Sequence, residues 1–202
     1  TGSWDRTLKI WDLNTGENLS TLTSHQDWVN DFSITPDGTK LVSASLDQTL
    51  KIWDLETGKQ IYTISGHESP LLTVAIASKI REGEEPAQLQ IISGGEDCNL
   101  KIWDLETGEE QYTLISHQDS VSAMVVTDDQ KLIISGSYDK TIKVWDRKEQ
   151  LPLFTLEGHQ SWLKDLVIVP DSLQLISASY DNTLKIWDLT TKTLTKTLKG
   201  HI

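Results

Sequence analysis

The chain has a single cysteine, Cys98. An internal disulfide is therefore impossible, and a reducing compartment, the cytoplasm, is its expected setting. Basic residues are scarce: 18 Lys and Arg stand against 30 Asp and Glu, a net charge of -12. That deficit disfavours nucleic acid as a partner and favours basic protein surfaces. No apolar run reaches membrane-spanning length and no signal-peptide pattern opens the chain, so no membrane partner is expected. Residue 1 falls inside a repeat, so the natural N-terminus is expected to lie upstream. Helical periodicity is absent. Gly94-Gly95 lies inside a repeat and lacks the Walker or dinucleotide pattern. Each His of the repeats stands at least 42 residues from the next, without the close spacings of a zinc site. Cys98 has no base beside it in sequence, which fits a structural or surface thiol. No metal, cofactor or catalytic residue is implied.

What the chain does have is repetition and tryptophan. Five Trp-Asp pairs begin at 11, 53, 103, 145 and 187, spaced 42, 50, 42 and 42 residues apart. A fixed period of this length decides the architecture before any local reading does. Eight Trp and 37% hydrophobic residues in 202 positions suffice for a buried core.

Each unit reads as four short strands. In the unit opening at Ser24-His25, Trp28 to Ile34 is an apolar, β-prone run closed by the turn signal Thr35-Pro36-Asp37-Gly38. Lys40 to Ser45, Thr49 to Asp54 and Lys59 to Ile64 follow, separated by Leu46-Asp47-Gln48 and Leu55-Glu56-Thr57-Gly58. Runs such as Leu71 to Ile76 read as strands covered on both faces, whereas Glu110 to Leu114 alternates as an outer strand does. The one long step comes from an insertion near 78–87, expected to project from a hairpin as an acidic surface loop. The boundaries are a partial unit over 1–23, then units over 24–65, 66–115, 116–157 and 158–199, with a further unit opening at 200–202.

The His dipeptides at 24–25, 66–67, 116–117, 158–159 and 200–201, followed by the Trp-Asp pairs, closely resemble WD40 repeats. Lys-Ile-Trp-Asp-Leu-Glu-Thr-Gly occurs twice, at 51–58 and 101–108, in the style of the amplified arrays common in bacteria, cyanobacteria especially, and in fungi. The resemblance implies an all-β fold, a β-propeller of four-stranded antiparallel blades. It also implies buried hydrogen-bonded tetrads: His25, Ser43, Asp47, Trp53; His67, Ser93, Asp97, Trp103; His117, Ser135, Asp139, Trp145; and His159, Ser177, Asp181, Trp187. The partial unit supplies Thr1, Asp5 and Trp11 without a His. Ser24 and Ser116 stand where the pattern has Gly, which bears on the tightness of those loops.

Ser, His and Asp together invite a hydrolase reading. A catalytic set is needed once, in a cleft with an oxyanion site; this one recurs four times beside a Trp, which makes it structural and the chain no enzyme. By the resemblance, partners lie on the top rim, at the positions three and five after the tetrad His and just before the tetrad Asp. These include Trp28, Asn30, Leu46, Leu72, Glu96, Tyr138, Trp162, Lys164 and Tyr180, with Trp4, Pro70, Ser120 and Ser122 at matching positions. Aromatic residues of this kind make interaction hot spots when exposed. The competing reading packs Trp28 and Trp162 between blades; Val29, Phe32 and Ile34 are expected to fill the inward positions of that strand, leaving Trp28 at the rim. The face carrying the Leu-Glu-Thr-Gly turns is the weaker candidate.

Four full blades and half a fifth make an incomplete ring, with edges a propeller must hide. The expectation is a piece of a larger, seven-bladed propeller; an open arc, or self-association through unpaired blade edges, is the alternative. Function reads as a non-catalytic scaffold for peptides or protein domains. The alternative is the regulatory or sensor part of a larger bacterial signalling protein, a kinase or STAND-type NTPase.

Overall fold

A computed structural model describes residues 1–78, 88–115, 117–170 and 172–200. Apart from Ser78, the insertion expected near 78–87 lies outside the described residues, as do Ser116 and the last two residues.

The partial unit is an antiparallel pair, β1 (Thr7–Trp11) and β2 (Asn18–Thr23). The first full blade is β3 (Val29–Ile34), β4 (Lys40–Ser45), β5 (Thr49–Asp54) and β6 (Lys59–Ser65). The second is β7 (Leu71–Ser78), β8 (Leu89–Gly95), β9 (Asn99–Asp104) and β10 (Glu110–Ile115). The third is β11 (Val121–Val126), β12 (Leu132–Ser137), β13 (Ile142–Asp146) and β14 (Leu151–Leu156). The fourth is β15 (Leu163–Ile168), β16 (Gln174–Ser179), β17 (Thr183–Asp188) and β18 (Thr193–Lys199). Each full blade is a four-stranded sheet in sequence order, antiparallel throughout, and the described residues contain no helix. No helix is therefore long and apolar enough to cross a membrane.

The Trp-Asp pair builds two things at once. Its Trp points into the core, and its Asp organises the next turn. Asp54 Oδ1 accepts from the Thr57 backbone N–H at 2.7 Å, and Asp12, Asp104, Asp146 and Asp188 cap the matching turns in the same way. Each turn then needs a left-handed residue, supplied by Gly16, Gly58 and Gly108. In the last two blades Gln150 and Lys192 take that conformation instead, at φ 58° and 60°.

The core lies between blades. One cluster joins Val42, Leu50 and Ile52 of the first blade to Leu71, Ile91 and Trp103 of the second. The same arrangement recurs from the second blade to the third and from the third to the fourth. Each buried Ile or Leu of this kind stabilises by roughly 1.5–3 kcal/mol. The innermost strands meet in the order β3, β7, β11, β15; at one end of this arc β1 and β2 cover only the outer part of the first blade, through Leu8 and Leu22 against Leu41 and Trp53, and at the other end the far face of the fourth blade is uncovered.

Those end faces correct one expectation. Phe32 and Ile34 are 36% and 49% exposed rather than inward-filling. Their counterparts Leu166 and Ile168 are buried against the preceding blade. β3 has only the two-stranded unit before it, so the strands that would cover Phe32 and Ile34 are not there. At the other end Leu198 is exposed, whereas its equivalents Leu22, Ile64, Leu114 and Leu156 are buried. Trp11, in the partial unit, is 40% exposed against 2% for Trp53.

Candidate functional site

Four times the fold assembles His, Ser, Asp and Trp at the same place in a blade. In the first blade His25 Nδ1 lies 2.7 Å from Asp47 Oδ2, its Nε2 lies 2.6 Å from Ser43 Oγ, and Trp53 Nε1 donates to that hydroxyl at 2.9 Å. His67, Ser93, Asp97 and Trp103 repeat the chain at 2.7, 2.7 and 2.8 Å. His117, Ser135, Asp139 and Trp145 do so at 2.8, 2.8 and 2.9 Å. His159, Ser177, Asp181 and Trp187 do so at 2.7, 2.7 and 2.8 Å.

The proton count fixes the roles. The indole donates to the Ser oxygen, the Ser hydroxyl donates to His Nε2, and Nδ1–H donates to the carboxylate. Every donor is spent on a neighbour. All four Ser side chains are sealed from solvent, and all four His are buried. A hydroxyl so placed has no open approach for a substrate carbonyl, which is what nucleophilic attack requires. Among the described residues no group of three His, Cys, Asp or Glu is arranged to hold a metal ion.

The carboxylates of these chains are held strongly ionised. Burial pushes Asp47 up, but the hydrogen bonds from His25, Thr49 and the Gln26 N–H outweigh it and leave it well below the usual carboxylate range. Asp97, Asp139 and Asp181 are depressed by the same opposition. Burial depresses the His159 imidazole, and the attraction of Asp181 only partly offsets this.

Partial copies show which parts matter. In the two-stranded unit Trp11 Nε1 donates to Thr1 Oγ1 at 3.1 Å. Gly66 and Gly158 open their blades at φ +157° and +153°; a Cβ on Gly66 would come within 2.8 Å of the Trp103 ring. Ser24 stands at the equivalent position without a positive φ and hydrogen-bonds Gln60 through its hydroxyl. That loop is therefore a different one.

The expected rim residues fall into two geometric classes. Asn30, Leu72, Ser122 and Lys164 are bulge residues. Val29 faces Ser45 and Asp31 faces Ala44, so Asn30 is skipped by the ladder, and Leu72, Ser122 and Lys164 are skipped in the same manner. Two of the four reach the next blade: Asn30 Nδ2 donates to Leu71 O and Ser122 Oγ to Leu163 O, both at 2.7 Å. With Asp31 and Asp165 they line a cavity of about 360 Å³ along the inner strands. Burial raises the Asp31 pKa past what its hydrogen bonds to Val74, Thr73 and Phe32 remove, and Asp165 pushes the same way.

The second class is the residue before the tetrad Asp, paired across each blade junction with the residue three after the next His. Trp4 stacks on Trp28 with ring centroids 4.6 Å apart and planes 14° apart. Tyr138 stacks on Trp162 at 4.7 Å and 18°, and Tyr180 meets Trp162 edge-on at 6.1 Å. Trp28 and Trp162 are still 42% and 49% exposed. They thus bridge blades and face solvent at once, so the two readings of these residues are not exclusive. Leu46 and Glu96 hold the corresponding places at the intermediate junctions.

One buried side chain breaks the repeat. Arg147 stands where Leu13, Leu55, Leu105 and Leu189 follow the other Trp-Asp pairs. It is buried, donating from Nη2 to Gln90 Oε1 at 2.7 Å and from Nη1 to Gln130 O at 3.1 Å. Its Nε has no partner among the described residues, and burial lowers the guanidinium to about 10. A departure from a near-identical repeat is the mark by which such a residue can be found.

Comparison with known proteins places this geometry. A family model described as WDR41, a β-propeller, matches residues 12–155, more than half of the chain. The WD domain, G-beta repeat model matches residues 1–12 and 150–188. Among curated proteins, the chain is 46% identical over 43 residues to "Nuclear distribution protein PAC1" of Mycosarcoma maydis, covering 21% of this chain and 10% of that one. It is 43% identical over 44 residues to "Lissencephaly-1 homolog" of Caenorhabditis briggsae, 22% of this chain and 11% of that one. It is 46% identical over 43 residues to "Lissencephaly-1 homolog 1" of Paramecium tetraurelia, 21% and 11% respectively. The match spans about a tenth of the length of these relatives, the equivalent of one blade. These relatives are eukaryotic and lend no support to a bacterial style in the repeats. From the family models and the four repeated blades together, the chain belongs to the WD-repeat β-propellers.

Proposed function

We propose that the chain is a non-catalytic interaction scaffold in the cytoplasm that holds peptides or protein domains on its top rim. The observation that carries this is the pair of solvent-facing aromatic stacks, Trp4–Trp28 and Tyr138–Trp162–Tyr180, at the blade junctions. Aromatic side chains fixed by their neighbours present large contact area at little entropic cost, which is how interfaces gain affinity. The one set of residues with the right types for hydrolysis is spent on internal hydrogen bonds in every blade. The net charge of -12 favours partners with basic surfaces. A photo-crosslinking residue placed at Tyr180 should yield discrete protein adducts that the same residue at Glu56, on the opposite face, does not. Identical adducts from both faces, or none from the rim, would refute the reading.

A further inference from the structure

We propose that the rim formed by Tyr138, Trp162 and Tyr180, with Glu96 and Asp119 at its end, docks an arginine of a protein partner. This deepens the scaffold reading and rests on it. Each blade junction carries one rim pair: Trp4 with Trp28, Leu46 with Pro70, Glu96 with Ser120, Tyr138 with Trp162. The third pair is the only one with a charge. Ser120 is small and buried, so Glu96 and Tyr138 form the surface there.

The backbone fixes the place of both residues. Glu96 N donates to Pro70 O and Tyr138 N to Ser120 O, each at 2.9 Å. Glu96, Asp119 and Tyr180 all act on the Tyr138 phenol, whose pKa is raised first by burial and then by these three groups. Asp119 adjoins Ser120, whose carbonyl takes the Tyr138 N–H and whose own N–H donates to the Asp119 carboxylate, so the backbone brings this acid beside Tyr138. Neither Glu96 nor Asp119 makes an ion pair among the described residues, whereas Glu106 and Glu110 are paired with Lys40 and Lys101. Among the described residues the Asp119 carboxylate accepts hydrogen bonds only from the N–H and hydroxyl of the adjacent Ser120. Lys164 lines the inner cavity beside Asp165 and also a second pocket with Tyr180, so the rim carries a cation at its Tyr180 end and its carboxylates at the Tyr138 end.

An aromatic stack ending in unpaired carboxylates has two demands: a cation over a ring face, and donors in a plane toward acid oxygens. Guanidinium meets both at once, because it is flat, always charged and carries its donors around its edge. An ammonium is a point charge and meets them one at a time. The acidic net charge draws a basic segment toward the rim before contact.

The test uses arrays of short peptides with one central arginine between varied neutral flanks, alongside matched arrays with lysine or citrulline. The 202-residue chain should prefer arginine over citrulline by about tenfold. That preference should collapse in Tyr138→Ala and in the double variant Glu96→Gln, Asp119→Asn, persist in Tyr138→Phe, and shrink at high salt. Thermal melts identify any variant that fails to fold, and the Phe variant keeps the test decisive if Tyr138→Ala does. Binding that ignores the central residue and Tyr138 but is lost in Trp28→Ala overturns the arginine site and leaves the rim reading standing. No binding to any array overturns both.

Discussion

The hydroxyl of Ser135 accepts a hydrogen bond from the indole of Trp145 at 2.9 Å, and neither residue is open to water. Replacing Ser135 by Ala leaves the indole N–H and His117 Nε2 buried without partners. Each such orphan costs about 1–3 kcal/mol, and at this chain length each kcal/mol lowers Tm by roughly 2–4 °C. Thermal unfolding of Ser135→Ala should show that drop. An unchanged melt would mean that the chain of hydrogen bonds adds nothing to stability.

Acid should weaken the fold in two stages. The folded pKa of His159 is depressed below 6.5, so the unfolded chain takes a proton that the native state refuses. Stability is complete above 6.5 and declines as pH falls through that value. Asp47, Asp97, Asp139 and Asp181 are depressed below 3.8, and their contribution is present above 3.8 and lost as pH drops through and below it. Asp31, raised above 3.8 by burial, works the other way, one group against four. Urea denaturation across pH should give a shallow decline followed by a steep one. Stability that rises on acidification would contradict the assignment.

Removing the aromatic rim should separate binding from folding. Trp28→Ala with Trp162→Ala deletes one ring from each stack. Both rings are partly exposed, so the stability lost should be about 0.5–1.5 kcal/mol per stack beyond the area each ring buries, a shift of roughly 2–12 °C in Tm for the pair of substitutions. Capture of a partner identified by rim crosslinking should fall by tenfold or more, as expected of hot-spot side chains. Retained capture with a collapsed melt would assign these rings to the core.

Arg147 and Gln90 should behave as a unit. A buried guanidinium without a carboxylate partner is costly, yet removing it strands Gln90 Oε1. Arg147→Leu alone should destabilise, and adding Gln90→Leu should recover part of the loss. The coupling energy in a double-mutant cycle should be about 0.5–3 kcal/mol. Additive single effects would show that the contact is idle.

The repeat made the strands legible. Thr49 to Asp54 and Lys40 to Ser45 were marked by flanking turn residues, and the ladder pairs Lys40 with Asp54 as that reading requires. Phe32 and Ile34 were misread because burial at these positions depends on the neighbouring blade. A strand's own pattern cannot say whether that neighbour has its inner strands. For a related reason, packing between blades stayed one of two open readings for Trp28. Its ring partner, Trp4, lies in another unit, and stacking depends on the angle between blades. Arg147 was legible only as a deviation, since nothing local to Trp-Asp-Arg says that the guanidinium turns inward toward Gln90.

In each full blade the innermost ladder steps over one residue: Asn30, Leu72, Ser122, Lys164. An amide, an alkyl group, a hydroxyl and an ammonium occupy the same place without altering the pairing on either side. Such a site is exempt from the alternation that constrains every other strand position. Blade geometry and inner-wall chemistry are thereby written in separate letters, and the cavity lining of this propeller can be rewritten one blade at a time on an unchanged frame.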